Sequence, residues 1–146
     1  MEAALLCPAG HVYAVECRED AADLAEHNGK KFALRNLTVV RGTAPEALAQ
    51  LPAPTHVFIG GSSGSMRAIV EAALRKNPGV RVVVNAIALE SVGEMAAMID
   101  ALGFTDSEIV QLSIARSHRV GRYNMMNGLN PIWIGAMQRG GETHED

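Results

Sequence analysis

Three short stretches carry residues able to do chemistry. The first is an acid, Glu16, that closes the apolar run "HVYAVE". A carboxylate ending such a run can accept hydrogen bonds from the two adjacent hydroxyls of a ribose, and it can equally be a solvated loop acid. The second is "HVFIGGSSGSMRAIV", residues 56–70, where an apolar run breaks on small residues and resumes with helical spacing. Gly60 and Gly61 remove side chains so that something large can approach the backbone, while Ser62, Ser63 and Gly64 open a helix whose free N–H groups favour an anion. The stretch has neither the Lys of a phosphate-binding P-loop nor a G-x-G-x-x-G arrangement, so by itself it also reads as a tight turn with a serine cap. The third is "ARSHRVGRY", which concentrates Arg116, His118, Arg119 and Arg122 in a chain of net charge −3. Arginines gathered in one connection suit the carboxylates of a small ligand better than a nucleic acid, the alternative being a solvated charged loop. Tyr123, Met125 and Met126 beside them offer a flat apolar surface for a large ring, or simple packing.

The elements that must position these residues alternate along the chain. Strands are expected at residues 11–16, 36–42, 56–59 and 80–86, the last nearly all β-branched, as in a strand covered on both faces. Between them Asp20 is expected to cap a helix with Ala21, Leu24, Ala25, Asn28 and Phe32 near one face. Thr43 and Glu46 have the spacing of a capping box with Pro45 in the first turn, so Thr43 reads as a cap first and a ligand second. Met66, Ile69, Val70, Ala73 and Leu74 form a helical stripe that "NPG" ends at residues 77–79. A further helix over residues 90–102, with Val92, Met95, Ala96 and Ile99 inward, stops at Gly103. Residues 108–116 and 131–137 then read as two strands with no helix between them, an antiparallel hairpin on an otherwise parallel sheet, joined by a long connection and followed by a frayed polar tail. In such a sheet ligands bind at the carboxyl ends of the strands, which limits the search to Glu16, residues 42–44, residues 60–63 and Asn85.

Composition narrows the class. A length of 146 residues with 48% hydrophobic content is enough for one core, and the acidic balance argues against a general nucleic-acid binder. There is no run long enough for a membrane helix, and "MEAALLCPAG" has an acid where a signal peptide carries bases, so a cytoplasmic protein is expected. Cys7 and Cys17 have no metal or disulfide spacing and read as small buried hydrophobes, while His11, His27, His56, His118 and His144 are scattered, His56 reading as a structural residue inside its strand. There is no G-x-S-x-G elbow.

With Glu16, "GTAPEAL", "VFIGGSSG", "VVVNAIALE" and "GRYNMMNGLNPIWI" in view, the chain resembles the decarboxylating precorrin-6B (cobalt-precorrin-6B) carbon-15 methyltransferases of cobalamin (vitamin B12) biosynthesis. These occur as separate proteins or as the C-terminal half of a fused precorrin-6Y carbon-5,15 enzyme. The likeness runs to about Met137, and its most specific parts are "VFIGGS" and "VVNAI-LE", because most methyltransferases of this fold end the corresponding strand with Asp or Asn instead of a Gly pair. The resemblance implies an α/β, Rossmann-like class I fold that uses S-adenosylmethionine, methylates the macrocycle at carbon 15 and removes carbon dioxide from an acetate side chain. It implies that Glu16 holds the ribose hydroxyls, that Ala44 meets the adenine with its backbone, and that Thr43 and Gly60 border the cofactor. The tetrapyrrole, rich in carboxylates, would then meet Gly61, Ser62, Ser63, Arg116, His118, Arg119, Arg122 and Tyr123. A homo-oligomer, a tetramer by family habit, and an upstream carbon-5 domain are further implications; no metal, nucleic acid or membrane is needed.

Such a family member should begin with a strand ending in a glycine-rich loop, and this sequence opens instead inside the helix that would follow it. The expectation is a single methyltransferase domain over residues 1–146, N-terminally incomplete, in which the strands of Glu16 and Gly60 are without their shared neighbour. Either the residues are a fragment of a longer protein or the sheet closes by another route. Rival readings are a nucleotide-binding domain of an oxidoreductase, a non-catalytic interaction domain, and a methyltransferase acting on RNA or protein. A bound nicotinamide, failure to bind any adenosyl or tetrapyrrole ligand, and salt-sensitive RNA binding would mark them respectively.

Overall fold

A computed structural model describes residues 1–61 and 64–140. The chain falls into two compact units, Met1–Pro52 and Ala53–Asp146.

The first unit contains α1 (Glu2–Leu6), β1 (Val12–Glu16), α2 (Glu19–Lys31), β2 (Leu37–Arg41) and a 3₁₀ turn at Glu46–Leu48. β1 and β2 pair in parallel, with Val12 opposite Leu37 and Glu16 opposite Arg41, so both carboxyl ends reach one edge. A parallel pair needs a crossover, which α2 supplies. The helix rests on the strands through small residues: Ala22 and Gly29 are buried, and a Cβ on Gly29 would lie 3.3 Å from Cδ2 of Leu37. That close approach leaves no room for large side chains, so the expected inward face is corrected, Leu24 and Phe32 being 59% and 55% exposed. Asp20 is not the cap either. The helix starts at Glu19 with Arg18 at the N-cap and no side-chain cap bond, and Asp20 pairs with Arg18 from inside the first turn. Its carboxyl is held below the usual aspartate range, first by the Arg18 hydrogen bond. Arg41 donates to Glu19, Asp23 and Glu26, acids that share one side of α2, and so ties the helix to the end of β2. Asn36 donates through Nδ2 to the carbonyls of Ala4 (2.9 Å) and Cys7 (2.8 Å), satisfying groups that the end of α1 leaves open. Cys7 and Cys17 are exposed free thiols, against expectation, because each sits where an element ends.

The second unit contains β3 (His56–Ile59), α3 (Met66–Lys76), β4 (Arg81–Ala86), α4 (Leu89–Ala101), β5 (Asp106–Leu112), β6 (Ala115–Val120), β7 (Tyr123–Gly128) and β8 (Ile132–Gln138). Four strands form a sheet in the order β3-β4-β8-β5, in which β3 and β4 are parallel and β8 runs antiparallel to both β4 and β5. The alternating first part and the antiparallel ending are thus both as the sequence suggests. Met66, Ile69, Val70, Ala73 and Leu74 are all buried, matching the helical stripe, and they share the core with Val82, Val84 and Ala86 of β4 and with Met95 and Met98 of α4. On α4 the stripe differs from expectation: Met98 is buried and Ala96 exposed. The reason is Gly135 on β8, where any Cβ would collide with the thioether of Met95; the absent side chain draws α4 in along its methionines. At the end of α4, Phe104 N–H donates to Ile99 O (3.0 Å) and Gly103 N–H to Asp100 O (3.2 Å), with Gly103 at φ 68, a Schellman closure that only a residue tolerant of the left-handed region makes cheaply.

Three further expectations change. β4 is fully buried on one face only, Val83 and Asn85 on the other being half-buried. β3 has β4 as its only partner among the described strands, and its outward residues are exposed, Phe58 at 68%, with the His56 ring bonded to Oγ1 of its neighbour Thr55 at 3.1 Å. The connection expected to be irregular is itself a ribbon: β6 and β7 pair antiparallel from Ala115–Gly128 to Val120–Tyr123, so the strand expected to reach residue 116 ends at Leu112. Gly121, at φ 60, supplies the two-residue turn that a right-twisted hairpin requires. The tail stays anchored through residue 140, where Arg139 donates to Leu102 O (2.9 Å) and the Gly140 amide to Oγ1 of Thr105 (2.7 Å). No described strand joins β1 to β3, and among the described residues no helix is long and apolar enough to cross a membrane.

Candidate functional site

At the edge where β1 and β2 end, Glu16 is half-buried, and its Oε1 accepts the Arg18 amide at 2.9 Å. No described residue donates to its other oxygen. Its own carbonyl accepts from Gly42 at 3.0 Å, stapling the two strand ends together. Arg41, opposite Glu16 in register, is drawn instead to three acids of α2, which raise the pKa of its guanidinium. Glu16 is therefore left with accepting capacity. The capping box does not form. Glu46 begins the 3₁₀ turn rather than occupying its third position, Pro45 is the N-cap, and Thr43 contributes its carbonyl to Ala47 N–H at 2.9 Å. Gly42 has φ 153, and a Cβ there would lie 3.2 Å from that of Ala47, so the turn folds back closely and sets Thr43 and Ala44 next to Glu16's strand end. A carboxylate with a free oxygen beside the main chain of a close turn suits a sugar diol and the edge of a flat heterocycle.

At the ends of β3 and β4 a cavity of about 180 Å³ opens, lined by Gly60, Gly61, Met66, Asn85, Ile87 and Ser91 among others. A Cβ on Gly61 would meet nothing within 4 Å, whereas one on Gly60 would touch the Phe58 ring at 3.2 Å. The structure thus brings Gly60, Gly61 and Asn85 together. The Asn85 Oδ1 is buried and has no hydrogen-bond partner among the described residues. Sequence reasoning placed Asn85 at a strand end without giving it a role; the available signal was one carboxamide inside the β-branched run "VVVNA". Ser62 and Ser63 lie outside the described residues. The anion reading of the helix start is corrected in part, because α3 begins only at Met66 and the Arg67 amide in its first turn is already taken by Oε1 of Glu94 at 3.1 Å.

The basic cluster is divided by the pleat. Residues facing each other across an antiparallel pair share a side, so Arg116 and His118 stand with Met125 and Tyr123, while Arg119 stands with Asn124 and Met126 on the reverse. Arg122, in the turn, donates to the Tyr123 hydroxyl at 2.7 Å and holds its guanidinium 5.0 Å from the centre of that ring. Arg119 donates to Gly121 O at 3.1 Å. All twelve residues of the two strands are exposed, and among the described residues none of these arginines is in a salt bridge. No three His, Cys, Asp or Glu side chains among the described residues are placed to hold a metal ion.

A family model described as a precorrin methyltransferase domain matches residues 1–138. A probable cobalt-precorrin-6B C(15)-methyltransferase (decarboxylating) from Pyrobaculum calidifontis is 39% identical over 136 residues, covering 92% of this chain and 69% of that protein. The crystal structure of a precorrin-6y C5,15-methyltransferase from Geobacter metallireducens superposes with a TM-score of 0.84 at 32% identity, over 94% of this chain and 73% of that one. A SAM-dependent O-methyltransferase from Thermotoga maritima, 18% identical, has a TM-score of 0.67 over 93% of this chain and 52% of that one, a likeness of fold alone. The alternating units, with their free carboxylate and paired glycines at strand ends, thus carry a class I methyltransferase fold, and the chain belongs to the precorrin methyltransferase domain family.

Proposed function

We propose that this chain is a methyltransferase that uses S-adenosylmethionine to methylate carbon 15 of a precorrin-6B-type macrocycle and releases the carboxyl of an acetate side chain as carbon dioxide, a step of cobalamin biosynthesis. The observation that carries this reading is the 39% identity, over 92% of the chain, to a relative bearing that activity's name. When bound, S-adenosylmethionine supplies a methyl group already activated on a sulfonium. The chain's work is then to hold and align, and alignment is worth up to about 7–11 kcal/mol of a barrier.

Glu16 accepts the ribose hydroxyls on the oxygen that Arg18 leaves free, and Thr43 and Ala44 meet the adenine with main-chain groups. Gly60 borders the cofactor, and Gly61, open in front of its Cα, admits the edge of a broad ring. Arg116 and His118 share their side of the ribbon with Tyr123, whose hydroxyl and ring Arg122 of the turn contacts, a combination of cations and flat apolar surface that suits a polycarboxylated macrocycle; Arg119 works from the reverse. Ser62 and Ser63 donate to the same carboxylates. Residues 1–138 act as one methyltransferase domain, a reading supported by a family match that runs across both units. The protein works in the cytoplasm, which suits two exposed free thiols, and a carbon-5 domain serves the same macrocycle either fused or separate. It self-associates, as a tetramer, through the exposed edge of β5 and the β6–β7 ribbon, the occupant being a second copy. Among the described strands β5 has a partner on one side only while carrying exposed Ile109, Val110 and Leu112, and an unpaired edge of that kind pairs readily with its own copy.

Incubation with S-adenosylmethionine and precorrin-6B, followed by mass spectrometry, is expected to yield a macrocycle that has gained one methyl and lost one carbon dioxide, with S-adenosylhomocysteine formed alongside. An unchanged macrocycle with no S-adenosylhomocysteine sinks the proposal.

A further inference from the structure

We propose that the Asn85 carboxamide binds ligand directly: its buried carbonyl oxygen receives a hydrogen bond from an N–H or O–H carried on a short arm that enters the cavity at the carboxyl ends of β3 and β4. The inference rests on the methyltransferase reading and deepens it.

Asn85 follows three consecutive valines in β4, in a place where a carboxamide gains nothing from β-propensity. Its Oδ1 is shut away from solvent and receives no hydrogen bond from any described residue, an arrangement that destabilises the ligand-free fold. The same residue lines the cavity with Gly60 and Gly61, the second of which has nothing within 4 Å of where a Cβ would stand, while Ile59, Met66, Ala86 and Ile87 make the remaining wall mostly apolar. At about 180 Å³, several times the roughly 30 Å³ share of one water, the space takes an arm of a few heavy atoms and not a whole nucleoside or macrocycle. A carbonyl oxygen only accepts, so the arm must end in a donor. Two sources fit that chemistry: the ammonium on the amino-acid arm of the adenosyl cofactor, and an undissociated carboxyl on a side chain of the macrocycle.

The test uses the full chain and three readings: thermal midpoint without ligand, and calorimetric affinity for S-adenosylhomocysteine and for uroporphyrin as a polycarboxylate tetrapyrrole. Asn85→Leu, which keeps the size and removes the orphan acceptor, is expected to raise the midpoint by about 2–4 °C and to weaken one of the two probes about tenfold or more. Asn85→Asp keeps an acceptor and names the source. It retains or tightens S-adenosylhomocysteine if the donor is the ammonium, and weakens uroporphyrin if the donor is a carboxyl, because two carboxylates then face each other. Asn85→Leu that binds both probes as the wild type does, or Asn85→Asp that weakens S-adenosylhomocysteine and leaves uroporphyrin unchanged, overturns the inference while leaving the methyltransferase reading intact. A wild type that binds neither probe overturns the reading itself.

Discussion

At the level of single residues, the site is a matter of which polar atoms the fold leaves unspent. Glu16 has the means to be consumed, with Arg41 opposite it in register, yet three acids of α2 take that guanidinium and the carboxylate keeps one oxygen in reserve. A hydrogen bond to a charged acceptor is worth about 1.5–3 kcal/mol, so Glu16→Gln is expected to weaken S-adenosylhomocysteine at least about tenfold by calorimetry while the circular dichroism spectrum stays unchanged. Equal affinity would remove Glu16 from the site. Glu16 was legible in the sequence because an acid closing a strand announces its own position. The orphaned state of the Asn85 oxygen was not, since it depends on what neighbouring chains fail to donate. The occupation of the Arg67 amide by Glu94, a residue far along the chain, was equally invisible to local spacing.

At the level of elements, helix stripes were readable where large apolar side chains mark them and unreadable where small ones do. Met66, Ile69, Val70, Ala73 and Leu74 of α3 are buried as their spacing demands. α2 buries Ala22 and Gly29 and turns Leu24 outward, because contact with β2 is made by the absence of side chains. The two Schellman closures make a natural comparison. α4 ends on Gly103 at φ 68, whereas α2 ends with Ala33 at φ 52, Leu34 N–H donating to Gly29 O at 2.9 Å. A Cβ in the left-handed region costs about 1–2 kcal/mol, partly offset by the greater freedom glycine has when unfolded. Ala33→Gly is therefore expected to stabilise the protein by about 0.5–1 kcal/mol, seen as a higher urea midpoint with an unchanged slope. A lower midpoint would mean that the methyl group does packing work the closure does not reveal.

At the level of the whole molecule, the exposed surface of β5, β6 and β7 is the outstanding feature. Val120, Tyr123 and Met125 on one side of the β6–β7 ribbon and Met126 on the other are each more than half exposed, and Ile109, Val110 and Leu112 of β5 are exposed as well. Exposed apolar surface of this kind marks an interface. Light scattering of the wild type is expected to give a multiple of the 15.5 kDa chain mass, and Val110→Lys combined with Met126→Lys to give the single chain, since edge lysines block strand pairing. A wild type that scatters as a single chain at micromolar concentration would refute self-association through this face. The ribbon also shows where a cluster in sequence ceases to be a cluster in space. Four basic residues within seven positions separate onto two sides and a turn as soon as the segment is extended.

What the sequence determined by itself was local: the alternation of strands with α2, α3 and α4, the stripe of α3, the glycine break after β3, the acid at the end of β1 and the antiparallel ending. Each follows from side-chain period or backbone freedom, which neighbouring residues impose on one another. Tertiary structure alone decided which acceptors stay unsatisfied, which helix faces are small enough to be buried, and which arginines share a side. These are outcomes of pairing register and packing distance between residues far apart in the chain, and no local spacing encodes them.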